Sequence, residues 1–195
     1  MPEPPPNAVH PPDRAAWRAW LAEHHERREG VWLVFYKKGT GKPRVEYGAA
    51  VEEALCFGWV DSKPGKLDAE RSMLYFAPRK PGSGWAATNK VRVAQLVADG
   101  RMAPAGLAKV EAAQQDGSWA KLDAVEALEI PADLAVALAA TPEAQRYFDA
   151  FPKSARRGIL EWIVNAKRSE TRARRIEETV RLAAENVRAN QWKPS

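Results

Sequence analysis

The sequence predicts an α+β fold: a small, mainly antiparallel sheet packed with helices, followed by a helical C-terminal bundle. Three observations carry that expectation. Val31–Lys38 (VWLVFYKK) is apolar on both alternating faces, as for a strand covered on two sides. Trp59–Lys63 and Arg71–Ala77 flank a Lys63-Pro64-Gly65-Lys66 run suited to a type II turn, with Pro at i+1 and Gly at i+2. From Trp85 onward, apolar residues recur at helical spacing between Gly and Pro stops.

Taken in order, residues 1–12 hold six prolines and read as a disordered, polyproline-like tail. Asp13 is placed to cap a helix whose Trp17, Trp20, Leu21 and His24 recur at i, i+3, i+4, i+7, and Gly30 ends it. The following strand leads into KGTGKP, where the P-loop spacing fails because Tyr36 stands where its first Gly belongs and Pro43 follows Lys42. Tyr47–Phe57 reads as a helix with Ala50, Val51, Ala54 and Leu55 inward and Gly58 as its cap. Next comes the strand pair, with Leu74 and Phe76 on one face and Met73 and Tyr75 on the other. Helices are then expected at Trp85–Asp99, Pro104–Asp116, around Leu122–Leu128, and at Ala132–Ala139, Pro142–Ala150, Pro152–Lys167 and Glu170–Ala189, with Thr141 and Ser169 as caps. The expected organisation is a tail at 1–12, an α+β domain at 13–118 and a helical C-terminal domain at 119–190.

Composition narrows the function classes. A chain of 195 residues with 45% hydrophobic content and eight Trp is long and apolar enough to bury a core. The net charge of +5 is uneven: from Pro152 to Ser195 there are 11 Lys/Arg against 5 Asp/Glu, and the preceding 151 residues hold 19 against 20. One cysteine, Cys56, forbids an intrachain disulfide, and neither C-x-x-C nor H-E-x-x-H is present, so no metal or cofactor is assigned. The N-terminus has neither a basic n-region nor an apolar h-region, and no apolar run approaches the length of a membrane span. A cytoplasmic location is the expectation.

The segments YKKGTGKPRVEYGAAVEEALCFGWVDS, FAPRKPGSGWAATNK and FPKSARRGILEWIVNAKRSETRARRIEETV resemble the YdeI/OmpD-associated family of bacteriocin-protection proteins, over roughly residues 15–185. The resemblance implies defence against peptide antibiotics and a link to an outer-membrane porin, whereas the missing secretory signal is at odds with a periplasmic setting. It brings no catalytic residues with it.

The densest run of aromatic, charged and helix-start residues is Tyr47–Asn89. Within it, Arg79-Lys80-Pro81-Gly82-Ser83-Gly84-Trp85 is the candidate anion site: free N–H groups at a helix start favour an anion, and the glycines permit close backbone approach. Ser83 is placed to cap, Arg79 and Lys80 supply charge, and Trp85 offers a stacking face; the plainer alternative is a flexible connector with an ordinary Ser cap. Trp59 and Trp85 are expected to stack on the ligand, Arg71, Arg79 and Lys80 to hold its negative group, and Asp61 and Asn89 to orient it. Cys56 reads as a packed thiol, and Asp61 with Asp68 and Glu70 as ion-pairing acids ahead of a catalytic pair. In the last helix Arg174, Glu178, Arg181, Glu185 and Arg188 alternate in sign along one stripe, while Arg156, Arg157, Lys167, Arg168, Arg172 and Arg175 read as less compensated and open to weak nucleic-acid binding. The expected role is a non-enzymatic binding protein for a small anionic or peptidic ligand. The alternatives are a nucleic-acid-associated stress protein and an enzyme with its site at 56–89.

Overall fold

The computed structural model describes residues 3–191, and the chain folds as two compact units, 1–120 and 121–195. In the first, β1 (Ala8–Val9), α1 (Arg14–His24), β2 (Val31–Tyr36), α2 (Tyr47–Cys56), β3 (Trp59–Lys66) and β4 (Arg71–Pro78) precede α3 (Ala87–Ala98) and α4 (Pro104–Gln115). The sheet runs β1-β2-β4-β3, with β1 parallel to β2 and the other pairs antiparallel. The Pro-rich stretch is therefore more than the disordered tail expected: Ala8 and Val9 pair with Trp32 and Leu33, and the Asn7 carbonyl accepts from the Trp32 N–H. Two residues suffice because β2 presents an open edge of unpaired backbone groups. Met1 and Pro2 of that tail lie outside the described residues.

Alternation sorts the sheet into two faces. Leu33 and Val31 on β2 sit opposite Leu74 and Phe76 on β4, and this face joins Trp59 and helical residues Trp17, Leu21, Val51, Leu55, Val93 and Leu96 in one core. The buried indoles of Trp17 and Trp59 donate to the carbonyls of Ala50 and His25, at 3.1 and 3.0 Å, which satisfies their only polar atoms. Asp13 caps α1 as expected, accepting from the Ala16 N–H at 2.8 Å. The opposite sheet face carries Trp32, Val34, Tyr36, Met73 and Tyr75, none of them part of that core.

The hairpin differs from expectation. Pro64 and Gly65 lie inside β3, paired with Leu74 and Met73, and the register shifts by one residue between Asp61 and Pro64. The chain reverses at 67–70, where Asp68 accepts from the N–H groups of Glu70 and Arg71 at 2.9 and 2.7 Å. An Asx-type turn thus displaces the Pro-Gly turn, because a bulge absorbs the proline's missing donor.

The second unit comprises α5 (Asp123–Glu126), α6 (Ala132–Ala139), α7 (Pro142–Ala150), α8 (Lys153–Val164) and α9 (Ser169–Ala184). Its core gathers Leu134, Leu138, Phe148, Ile159, Ile163 and Ala183, the inward positions of each helical stripe. Ser169 begins α9 inside the helix, with Arg168 at the cap position, and Thr141 makes no capping bond. Trp119 belongs with the first unit, where its ring meets Trp85 at 4.9 Å. The protein is thus α+β with a helical C-terminal part. Among the described residues no helix is long and apolar enough to cross a membrane.

Candidate functional site

The loop that follows β4 is organised by Arg79. Its N–H donates to the Gly58 carbonyl at 2.9 Å, extending the sheet by one bond, and its side chain turns inward. The guanidinium lies 3.7 Å from the centroid of the Trp85 ring and donates through Nη1 to Ser83 Oγ (3.3 Å) and the Gly84 carbonyl (3.0 Å). Arg79 is only 6% exposed, and among the described residues it forms no ion pair with a carboxylate and its Nε has no partner. Burial pushes its pKa below the ordinary arginine value to about 10, opposed in part by the charge of Asp61. An uncompensated cation in such a place is costly, and a guanidinium is built to take a carboxylate or phosphate in two parallel bonds.

Two hollows border this residue. A notch of about 50 Å³, with room for about one or two waters, is bordered by Arg79, Ser83, Trp85, Lys109, Asp116 and Ser118. The Trp85 Nε1 is buried and unpartnered there. Asp116 is held below the usual carboxylate range by the Ser118 hydroxyl, then by the Ser118 and Gly82 N–H groups. On the other side lies a cleft of about 460 Å³ bordered by Arg79 and Lys80 with Asn7, Arg28, Glu29 and Tyr75. That volume falls within the range of small-molecule sites, and three cations face one acid.

Several expected roles change. Ser83 does not cap the helix; its hydroxyl donates to the Lys80 carbonyl at 2.7 Å, closing the loop, and α3 starts at Ala87 with no side-chain cap. Gly82 turns the loop at a φ of +70°, and a Cβ there would meet nothing within 4 Å, so turning rather than close approach calls for glycine. Trp59 is wholly buried and offers no face to a ligand, and Trp85, 1% exposed, stacks on Arg79 instead. Arg71 pairs with Asp68 at 2.7 Å, eight residues from Arg79 and so roughly 25 Å along the strand. Asp61 accepts from the Tyr47 hydroxyl at 3.1 Å, and Asn89, 9% exposed, accepts from Arg92 at 3.0 Å. Of the eight predicted residues, Arg79, Lys80, Ser83 and Trp85 are therefore brought together around one guanidinium. Arg28, Tyr75, Lys109 and Asp116 arrive from other elements, and local sequence gave no sign of them beyond Tyr75 alternating onto the sheet's open face.

Chemistry elsewhere is muted. Cys56 is fully buried and burial raises its pKa, so it stays a thiol. Its neighbour Glu53, 1% exposed, accepts from Arg14 and Arg18 at 2.6 Å each and also from Arg101, tying α1 and the α3–α4 connection to α2. Of the six C-terminal cations read as less compensated, Arg157, Arg172 and Arg175 have partners, while Arg156 keeps a buried Nε without one. Arg157 pairs with Glu126 and Glu161 at 2.8 and 2.9 Å, and Arg172 with Asp133 at 2.6 Å. Arg175 donates to the Trp162 carbonyl and lies over its ring. Among the described residues no group of three or more His, Cys, Asp or Glu is placed to hold a metal ion.

Two family models match the chain. One, a domain of unknown function (DUF8412), covers residues 9–109, more than half of the chain. The other, described as Bacteriocin-protection, YdeI or OmpD-Associated, covers residues 127–186. The chain belongs to the DUF8412 family and carries a YdeI/OmpD-associated domain. The two matches follow the two units, so the loop at Arg79 lies in the DUF8412 part and the description naming bacteriocin protection attaches to the helical part. No curated protein and no solved structure matches the chain.

Proposed function

We propose that this protein captures a small anionic ligand, carboxylate or phosphate, in the cleft beside Arg79, and acts by binding rather than by bond chemistry. The observation that carries this reading is the buried Arg79 guanidinium, which has no carboxylate partner among the described residues and whose Nε makes no hydrogen bond there. Arg28 and Lys80 on the rim add long-range attraction, and Trp85 beneath the guanidinium keeps its plane fixed. Binding fits the state of the nearby reactive groups: Cys56 is enclosed, and Asp61 is engaged by Tyr47. The YdeI/OmpD-associated domain supports a protective setting, in which the captured anion belongs to a peptide or antibiotic.

The test is a calorimetric and thermal-shift titration with phosphate, sulfate and citrate at low ionic strength, on the native chain and on Arg79→Met. Charge-assisted hydrogen bonds are each worth about 1.5–3 kcal/mol, so the substitution should weaken binding by about tenfold or more. Equal binding by the native and Arg79→Met proteins, or no binding to either, would overturn the reading.

A further inference from the structure

We propose that the cleft beside Arg79 takes a nucleotide-class ligand, a phosphate monoester carrying a flat heterocycle, with its phosphate at Arg79, Arg28 and Lys80 and its ring along the wall formed by Tyr75. This rests on the anion reading above and names the ligand's second half.

The charge comes first. Three cations and one acid, Glu29, border the cleft, an excess that suits a dianion better than a single carboxylate. The apolar wall is the second observation. Tyr75 lies on the sheet face opposite the core, and its ring carbons stand so close over Gly30 that a Cβ there would fall 2.7 Å from Cζ and 2.8 Å from Cε1. Trp32 meets the same ring edge-on at 5.2 Å between centroids. The ring is therefore pinned by backbone on one side and braced by an indole at its edge. Ala77, Pro78 and Pro81 extend the wall toward Arg79. A rigid aromatic and prolyl wall next to a guanidinium is the surface on which a base stacks while its phosphate is held.

Asn7 adds direction. Its Nδ2 donates to the Gly30 carbonyl at 3.1 Å, which fixes the amide so that Oδ1 is the group left to accept. An exocyclic amino group on the ring is the matching donor. Lys63 stands 5.4 Å from the centroids of both Trp32 and Tyr75, a cation above the same aromatic pair.

Calorimetry with inorganic phosphate, ribose 5-phosphate, adenosine and AMP separates the parts, on the native chain, Tyr75→Leu, Tyr75→Phe and Arg79→Met, each checked for an unchanged far-UV spectrum. In the native chain AMP should bind at least tenfold more tightly than ribose 5-phosphate. Tyr75→Leu should remove that advantage while leaving phosphate binding within about twofold, and Tyr75→Phe should keep it. AMP no tighter than ribose 5-phosphate, with both still dependent on Arg79, overturns the nucleotide assignment and leaves the anion reading standing. Failure of all four probes overturns both.

Discussion

Arg79 is placed where stability alone would not put an arginine. Burial lowers its pKa to about 10, so the folded chain disfavours the charged form, and the stability tied to this group rises only as pH climbs above about 10. At neutral pH that penalty is fully present, offset in part by the Trp85 stack and the bonds to Ser83 and Gly84. Arg79→Met keeps the volume over Trp85 and removes the charge, so it should raise stability by about 1 kcal/mol while weakening anion binding by about tenfold or more. A melting temperature several degrees below that of the native chain would show the arginine to be structural instead. Glu53 makes the opposite case, since a buried carboxylate is shared by three arginines. Glu53→Gln leaves those cations facing a neutral amide and should cost about 3 kcal/mol in urea unfolding, with anion affinity unchanged.

Elements meet here at a few backbone contacts that side chains cannot replace. Gly106 on α4 sits against the end of α2, where an added Cβ would come 2.2 Å from the Cys56 carbonyl oxygen and 2.8 Å from that of Leu55. The Ala103 N–H donates to the same Cys56 carbonyl at 3.1 Å, so neither side can move away cheaply. Gly106→Ala should therefore destabilise the first unit by about 3 kcal/mol, read from chemical unfolding, despite alanine's better helix propensity. This is also the scale at which the sequence was most and least readable. The Val31–Tyr36 strand, the Asp13 cap and the helical stripes of the second unit follow from alternation, capping chemistry and period. The hairpin turn was misplaced because Pro-Gly outranks Asp in local turn preference, and only pairing to β4 reveals that Pro64 sits in a bulge. Arg79 and Trp85 were legible as a pair because they lie six residues apart. Arg28, Tyr75 and Asp116 were not, because they come from separate elements and sequence spacing carries no trace of that meeting.

At the scale of the whole molecule, the first unit builds its core on one sheet face and keeps the other for Trp32, Tyr36 and Tyr75. The two units have separate cores, matching separate family models, so the proposed ligand site and the helical unit are divided along the chain. β1 has a consequence for solution behaviour. β2 reads VWLVFY, six residues of high β-propensity with no charge and no proline, the composition of segments that stack into fibrils when left unpaired. One of its sides is taken by β4, and among the described residues the start of the other is paired by Ala8 and Val9, whereas the sheet's far edge, β3, is guarded by a bulge, Pro64 and lysines. A chain starting at His10 should then self-associate through β2, visible as light scattering and thioflavin fluorescence that the longer chain lacks. The proline-rich leader would serve as a built-in chaperone for the strand beside it.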